Sequence, residues 1–400
     1  MPEEKILNRK SRSDRPGRRA TVGAHMATLA AGFVALSAVA AGCGLFSSGP
    51  TPAPSSVATG EATTPAAVTP SPSPTPVLVK SITLVAALGQ PKDATPAGLT
   101  WAGIGATAGR IGATATLVEP ATGAAMTAAI EAAAGPDAAV VVTIGQDAGV
   151  AVLAAAGAHP TTQFLEMGVV TPGSAPANVH GLLFDEAEAG YLAGYIAASF
   201  STSGNVALVG DAAADSSTAN YAAGFRAGAG QANPGSVVSA AYATTADAPE
   251  KGRAAAATLI KGGTDTILAL PSLSGIGAMR ETCDRKARLV AVDTDAWLVV
   301  PDVRPCLIAS VLNRYDTAVG TALSALAAGQ PLPQRTMNDV ANGGIAVSDL
   351  HADAPAGFGA ELAGVIATLK NGPPRPSSAP ASAPAASADA GGSSPKASGA

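Results

Sequence analysis

The chain has 400 residues, with 24 Lys and Arg against 29 Asp and Glu and a formal net charge of −5. No Lys/Arg cluster occurs beyond the first 25 residues, which argues against a nucleic-acid partner. Past residue 46 no uncharged run reaches the roughly 20 residues of a membrane-spanning helix, so the abundance of Ala and Gly there is a bias of composition.

In chain order, residues 1–25 are polar and basic, residues 26–42 carry no charge, and Ala40, Ala41 and Gly42 are small. A basic segment, an apolar segment and a small-residue cleavage site make an export signal over 1–42. Ala40-Ala41-Gly42-Cys43 resembles a bacterial lipobox. That resemblance implies that Cys43 receives a diacylglyceryl group and becomes the new N-terminus. Each buried CH₂ contributes about 0.8 kcal/mol, and stable anchoring takes more than one acyl chain. A second reading makes residues 26–46 an uncleaved transmembrane anchor. Both readings put the remainder outside the cytoplasm.

Residues 43–77 are rich in Ser, Thr, Pro and Ala and read as a flexible tether; residues 373–400 read as a disordered tail of the same kind. The span between them, 78–372, is long enough for two lobes with cores of their own. Within it, aliphatic runs recur as predicted strands: ITLVAAL (82–88), ATATLVE (113–119), AAVVVTIG (138–145), TQFLEMGVV (162–170) and VHGLLFD (179–185). A second series comprises NVALVGD (205–211), VVSAAYAT (237–244), TDTILALP (264–271), RLVAVDTD (288–295) and LIASVLN (307–313). Ala-rich segments of helical length separate most of them. Strands without alternation, interleaved with helices, predict α/β architecture with parallel sheets covered on both faces. Two series predict two doubly wound parallel-sheet lobes. Ligands of such sheets bind beyond the carboxyl ends of the strands, and clefts between lobes favour ligand sites.

Several stretches resemble the basic membrane protein family, the substrate-binding lipoproteins of ABC importers that include purine nucleoside receptors. They are NVHGLLFDEAEAGYLAGYIAASFSTSGNVALVG (178–210), YAAGFRAGAGQANPGSVVSAAY (221–242), GGTDTILALPSLSGIGA (262–278), AVDTDAW (291–297), LIASVLNRYDTAV (307–319) and NGGIAVSDL (342–350). The resemblance extends over about 80–370. It implies a type I periplasmic-binding-protein fold with a hinge. Lobe one would comprise 78–185 and 314–340, and lobe two 186–313 and 341–372. It also implies a small-molecule solute, a membrane permease as partner, a monomeric receptor and no cofactor.

The resemblance nominates pocket positions. The family's acid after the first strand matches Asp93, while the neighbouring ring and amide of that motif are absent. Its lobe-two aromatic matches Tyr221, and its Gly-Val-Asp acid matches Asp293. The acid of the Phe-x-x-x motif falls on Gly168 and is lost, and the lysine of Ser-Val-Leu-Lys falls on Asn313. Strand ends add Gln146, with both donor and acceptor groups, and Asp211, which reads as a ligand contact or a turn cap. A base sandwiched between rings would need Trp297 or Trp101 beside Tyr221, so a different small ligand, weaker binding, or none is expected.

Outside the cell a disulfide is permitted, and Cys283 and Cys306 read as a bridged pair or as two buried thiols; neither has metal-ligand neighbours. The four histidines have no paired nucleophile, and no phosphate-loop or Gly-x-Ser-x-Gly spacing occurs. An enzyme is therefore not expected. The alternative to a transport receptor is a lipoprotein of the same fold acting as a sensor or envelope-interaction protein.

Overall fold

A computed structural model describes residues 79–87, 94–135, 139–212 and 215–372. Cys43 and Asp93 lie outside the described residues. The chain begins with β1 (Ser81–Val85), α1 (Pro96–Ile111), β2 (Thr114–Val118), α2 (Gly123–Ala133), β3 (Ala139–Ile144), α3 (Gly149–Ala158), β4 (Gln163–Met167) and β5 (Val179–Phe184). It continues through α4 (Glu186–Phe200), β6 (Asn205–Gly210), α5 (Ser216–Ala232), β7 (Val237–Tyr242), α6 (Pro249–Lys261), β8 (Thr266–Ala269), α7 (Leu273–Asp284), β9 (Arg288–Asp293), α8 (Ala296–Val299) and β10 (Leu307–Asn313). It closes with α9 (Tyr315–Ala327), β11 (Arg335–Asn338), β12 (Ile345–Val347) and α10 (Phe358–Lys370).

Two six-stranded sheets result, ordered β11-β5-β4-β3-β1-β2 and β12-β10-β9-β8-β6-β7. Every pairing is parallel except β12 against β10. The aliphatic runs became strands because helices cover both faces. In β3, Val140 and Val142 pack with Ile82, Leu84, Ile104 and Val319 beneath α1 and α9. Val141 points the other way, to Val85, Ile130 and Phe164 beneath α2 and α3. Period-two geometry with both faces apolar explains why no alternation marks these strands.

The structure differs from the expectation at two places. β11 is a four-residue edge strand, Arg-Thr-Met-Asn, with one buried residue, and has no aliphatic run to reveal it. β12 is antiparallel because the chain enters the second sheet from the hinge and returns along β10.

Two features stiffen the second lobe. α4 and α5 cross so closely that a Cβ on Gly224 or Gly228 would meet the backbone carbonyl of Ala187 or Tyr191. Cys283, at the end of α7, is bridged to Cys306, just before β10, over a sequence separation of 23. In the chain-entropy model such a loop contributes about 3 kcal/mol.

The chain passes between the sheets three times, at 184–186, 313–315 and 338–345. The crossings are tied to one another. Asp185 N donates to Asn338 O at 2.9 Å and Arg314 N to Gly344 O at 2.8 Å. Asn338 Nδ2 donates to Leu183 O at 2.8 Å, and Val340 N to Glu188 Oε2 at 2.9 Å.

Candidate functional site at the hinge

Asp293 is the last residue of β9 and has φ of 81°. That left-handed conformation is costly for a residue with a side chain. The ends of β3 and β4 are followed by the same kind of turn, built there with Gly145 (φ 76°) and Gly168 (φ 72°). The turn after β9 thus keeps a carboxylate where glycine would be easier. Such outliers gather at functional sites.

Two donors meet Asp293 from the crossing between β10 and α9, one at each end of it. Asn313 Nδ2 donates to Asp293 Oδ1 at 2.9 Å, and the Tyr315 hydroxyl donates to the same oxygen at 2.7 Å. No described donor takes Oδ2. Phe184, from the first crossing, lies against Tyr315 with ring centroids 4.7 Å apart and tilted by 56°. Tyr221 comes from the second turn of α5, which the glycine contacts hold on α4. Glu186 comes from the first turn of α4, and its Oε2 accepts from Asn220 Nδ2 at 3.0 Å.

The cluster is tightly enclosed. Tyr221, Asn313 and Tyr315 are buried, and Asn313 Oδ1 has no hydrogen-bond partner. Burial pushes the Asp293 carboxyl up and Glu186 adds to the push; the bonds from Tyr315 and Asn313 oppose it. Burial and then the Asp293 charge push both phenols, Tyr221 and Tyr315, well above the ordinary tyrosine range. At neutral pH both are therefore uncharged, and Tyr315 acts as a donor. Chemically the cluster can accept hydrogen bonds, present aromatic faces and exclude water. It holds no nucleophile paired with a base.

Of the predicted positions, the structure brings together Tyr221, Asp293 and Asn313. Gln146 is exposed, at the start of the short 3-10 turn after β3. Asp211 Oδ1 accepts from Ser272 Oγ at 2.6 Å, and Ser272 Oγ in turn accepts from Gly275 N at 2.9 Å. Asp211 thus orients the residue that caps α7. Neither tryptophan supplies a second ring to the cluster. Trp297 stacks on His351 at 4.1 Å with Arg304 5.2 Å over its ring, and Trp101 packs against the lobe-one core. Reasoning from sequence missed Phe184, Glu186 and Tyr315. Their signal was position: each lies in or beside a segment that leaves a strand end and changes lobe.

Open grooves lie elsewhere on the surface. One of about 770 Å³ runs between α1 and α9, lined by Gly103, Thr107, Arg110, Asp316 and Ser324 among others. An apolar one of about 310 Å³ sits between α7 and α8.

Two doubly wound lobes, joined by three crossings that carry polar and aromatic side chains, define a periplasmic-binding-protein architecture. The chain belongs to the family of PnrA-like ABC transporter substrate-binding proteins, whose profile matches residues 105–353, more than half of the sequence. Basic membrane protein A2 of Borrelia garinii subsp. bavariensis is 32% identical over 129 residues, which are 32% of this chain and 38% of that protein. Basic membrane protein A of Borreliella burgdorferi is 31% identical over 151 residues, 37% of this chain and 42% of that one. The chain thus spans about two fifths of the length of the curated relatives it matches.

Among solved structures, an ABC transporter solute-binding protein from Conexibacter woesei superposes with a TM-score of 0.57 at 22% identity, covering 73% of this chain and 97% of its own. A transcriptional activator of the comK gene from Bacillus halodurans gives 0.61 at 15% identity, covering 73% and 98%. These likenesses establish the two-lobed fold. No described helix is long and apolar enough to cross a membrane.

Proposed function

We propose that the chain is an extracytoplasmic solute-binding protein of an ABC importer, anchored by lipid on Cys43, that holds a small polar molecule at the seam of its lobes. The observation that carries this reading is Asp293. A strained carboxylate at a strand end, met by donors from a segment that joins the lobes, is a group whose surroundings change when the lobes part. With the cluster closed, solute entry requires opening about the three crossings. Solute contacts made only in the closed form then favour closure in proportion to their preference for it. The closed form would be handed to a membrane permease. The sequence layout around Cys43 and the Ser/Thr/Pro tether after it support the anchor.

A thermal-shift panel of nucleosides, sugars, amino acids and amines tests the reading. A solute at 100 times its Kd adds about 2.7 kcal/mol, which raises Tm by about 4 °C for a folded part of this size. Asp293→Gly should abolish that shift; glycine adopts the left-handed turn without strain, which offsets part of the cost of leaving the Asn313 and Tyr315 donors unpaired, so the ligand-free Tm should fall by only a few degrees. If no solute raises the Tm, transport gives way to the sensor or envelope-interaction role.

A further inference from the structure

The hydrogen-bond inventory of the hinge cluster is one-sided. Of its side-chain donors, Asn313 Nδ2 and the Tyr315 hydroxyl are both spent on Asp293 Oδ1, and the Tyr221 hydroxyl lies beside Asn313. Beside that one hydroxyl, what remains are acceptors. Asp293 Oδ2 receives no described donor. Asn313 is 5% exposed, and its Oδ1 is buried without a partner. Glu186 uses one oxygen on Asn220 and keeps the other. The orientation of the Asn313 amide follows from chemistry, since a carboxylate oxygen accepts from NH₂ and repels a carbonyl oxygen.

The charge is one-sided as well. Glu186 acts on Asp293, both act on Tyr221, and no described cation offsets them. Arg314 is adjacent in sequence but is committed to Asp316 through two bonds, at 2.9 and 2.7 Å. A desolvated carboxylate is costly unless it is paired. A neutral solute bearing hydroxyls would bring donors but would leave that charge uncompensated. The aromatic faces of Tyr221, Tyr315 and Phe184 complete a setting that attracts positive charge.

We propose that the solute carries a protonated amine. Its N–H groups would be taken by Asp293 Oδ2 and Asn313 Oδ1, with the rings of the cluster around it. The inference rests on the solute-binding reading above and narrows it to cationic ligands. Asn313 is the residue that sets the sign: a lysine at that position would neutralise Asp293 from within and remove the demand for a cation.

The test uses the full chain and matched pairs that differ only in amine against hydroxyl: glucosamine and glucose, 5′-amino-5′-deoxyadenosine and adenosine, putrescine and 1,4-butanediol. Calorimetry at pH 7 should give at least one amine that binds about tenfold or more tighter than its hydroxyl twin, equivalent to about 1.4 kcal/mol. The preference should weaken as salt is raised. Asn313→Lys should abolish it. Asp293→Asn, which keeps the shape and removes the charge, should do the same should the lysine variant not fold. Equal or tighter binding of the hydroxyl twins would overturn the amine assignment and leave solute binding standing. Binding by no member of the pairs or of the wider panel would overturn both.

Discussion

Glu166 and Asp265 each stand at the margin of a parallel sheet, one in each lobe, and their surroundings treat them in opposite ways. Glu166 lies near the carboxyl end of β4, between Thr143 of β3 and Gly181 of β5 in the sheet register. It is 1% exposed, and its Oε1, Thr143 Oγ1 and Thr171 Oγ1 all lack hydrogen-bond partners. Burial pushes its carboxyl from 4.5 to about 7, with contact from Thr171 pulling weakly the other way. Asp265 precedes β8 at the opposite, amino end of its sheet. Burial pushes it up as well, but it accepts from Ser201 Oγ at 2.6 Å, Thr202 N at 2.7 Å, Ser203 N at 2.7 Å and Thr202 Oγ1 at 3.0 Å. Those bonds outweigh burial and hold it at about 2. The donor supply, more than depth, decides whether a carboxylate supports the fold or strains it. Asp293 falls between the two, with donors on one oxygen only.

The largest effect should come from relieving the strained member. Above pH 7, Glu166 is ionised in both states and its burial is a constant penalty. Below 4.5 it is protonated in both and the penalty is absent. Stability should therefore fall as pH rises between these values. Glu166→Gln should gain about 3 kcal/mol at pH 8 and almost nothing at pH 4.5, as measured by urea denaturation at the two pH values. A variant no more stable at pH 8 would place a donor on Glu166 and erase the contrast.

Asp265→Asn should act in the opposite direction and more weakly. The Asp265 side chain is partly exposed, so after screening by solvent the loss is about 1–2 kcal/mol at pH 7. Its contribution is fully present above the unfolded pKa near 3.8 and disappears as pH falls through about 2. The variant and the parent should accordingly converge in stability in acid. The smallest effect is expected for Thr171→Val. Removing that hydroxyl should raise the Glu166 titration midpoint further, visible by carbon-detected NMR, with a stability change under about 1 kcal/mol.

Which of these features could be read beforehand follows from their physics. The ten aliphatic strands were legible because a strand buried on both faces needs an unbroken apolar run. β11 was not, because an edge strand with one buried residue needs none. Asp293 and Tyr221 stood out through resemblance to a family motif, but Tyr315 and Glu186 join the cluster through the geometry of the crossings, which no local pattern encodes. Glu166 carries no motif at all. It sits two residues before Gly168, where the family pattern would have placed an acid, and only coordinates show that it is buried with one oxygen unpartnered. Asp211 matched a strand end as expected, yet its partner, Ser272, is 61 residues away.

The three crossings have a mechanical consequence. A single linker would let the two halves swivel freely. Three segments, laced together at Asp185–Asn338 and Arg314–Gly344, restrict that freedom. Asn313 and Tyr315 bound one of those crossings and both bond to Asp293, so the cluster sits where the halves join, and a small displacement there is magnified at the distant rims. A fold built this way works as a lever, with its fulcrum at the crossings and its largest movement at the far ends.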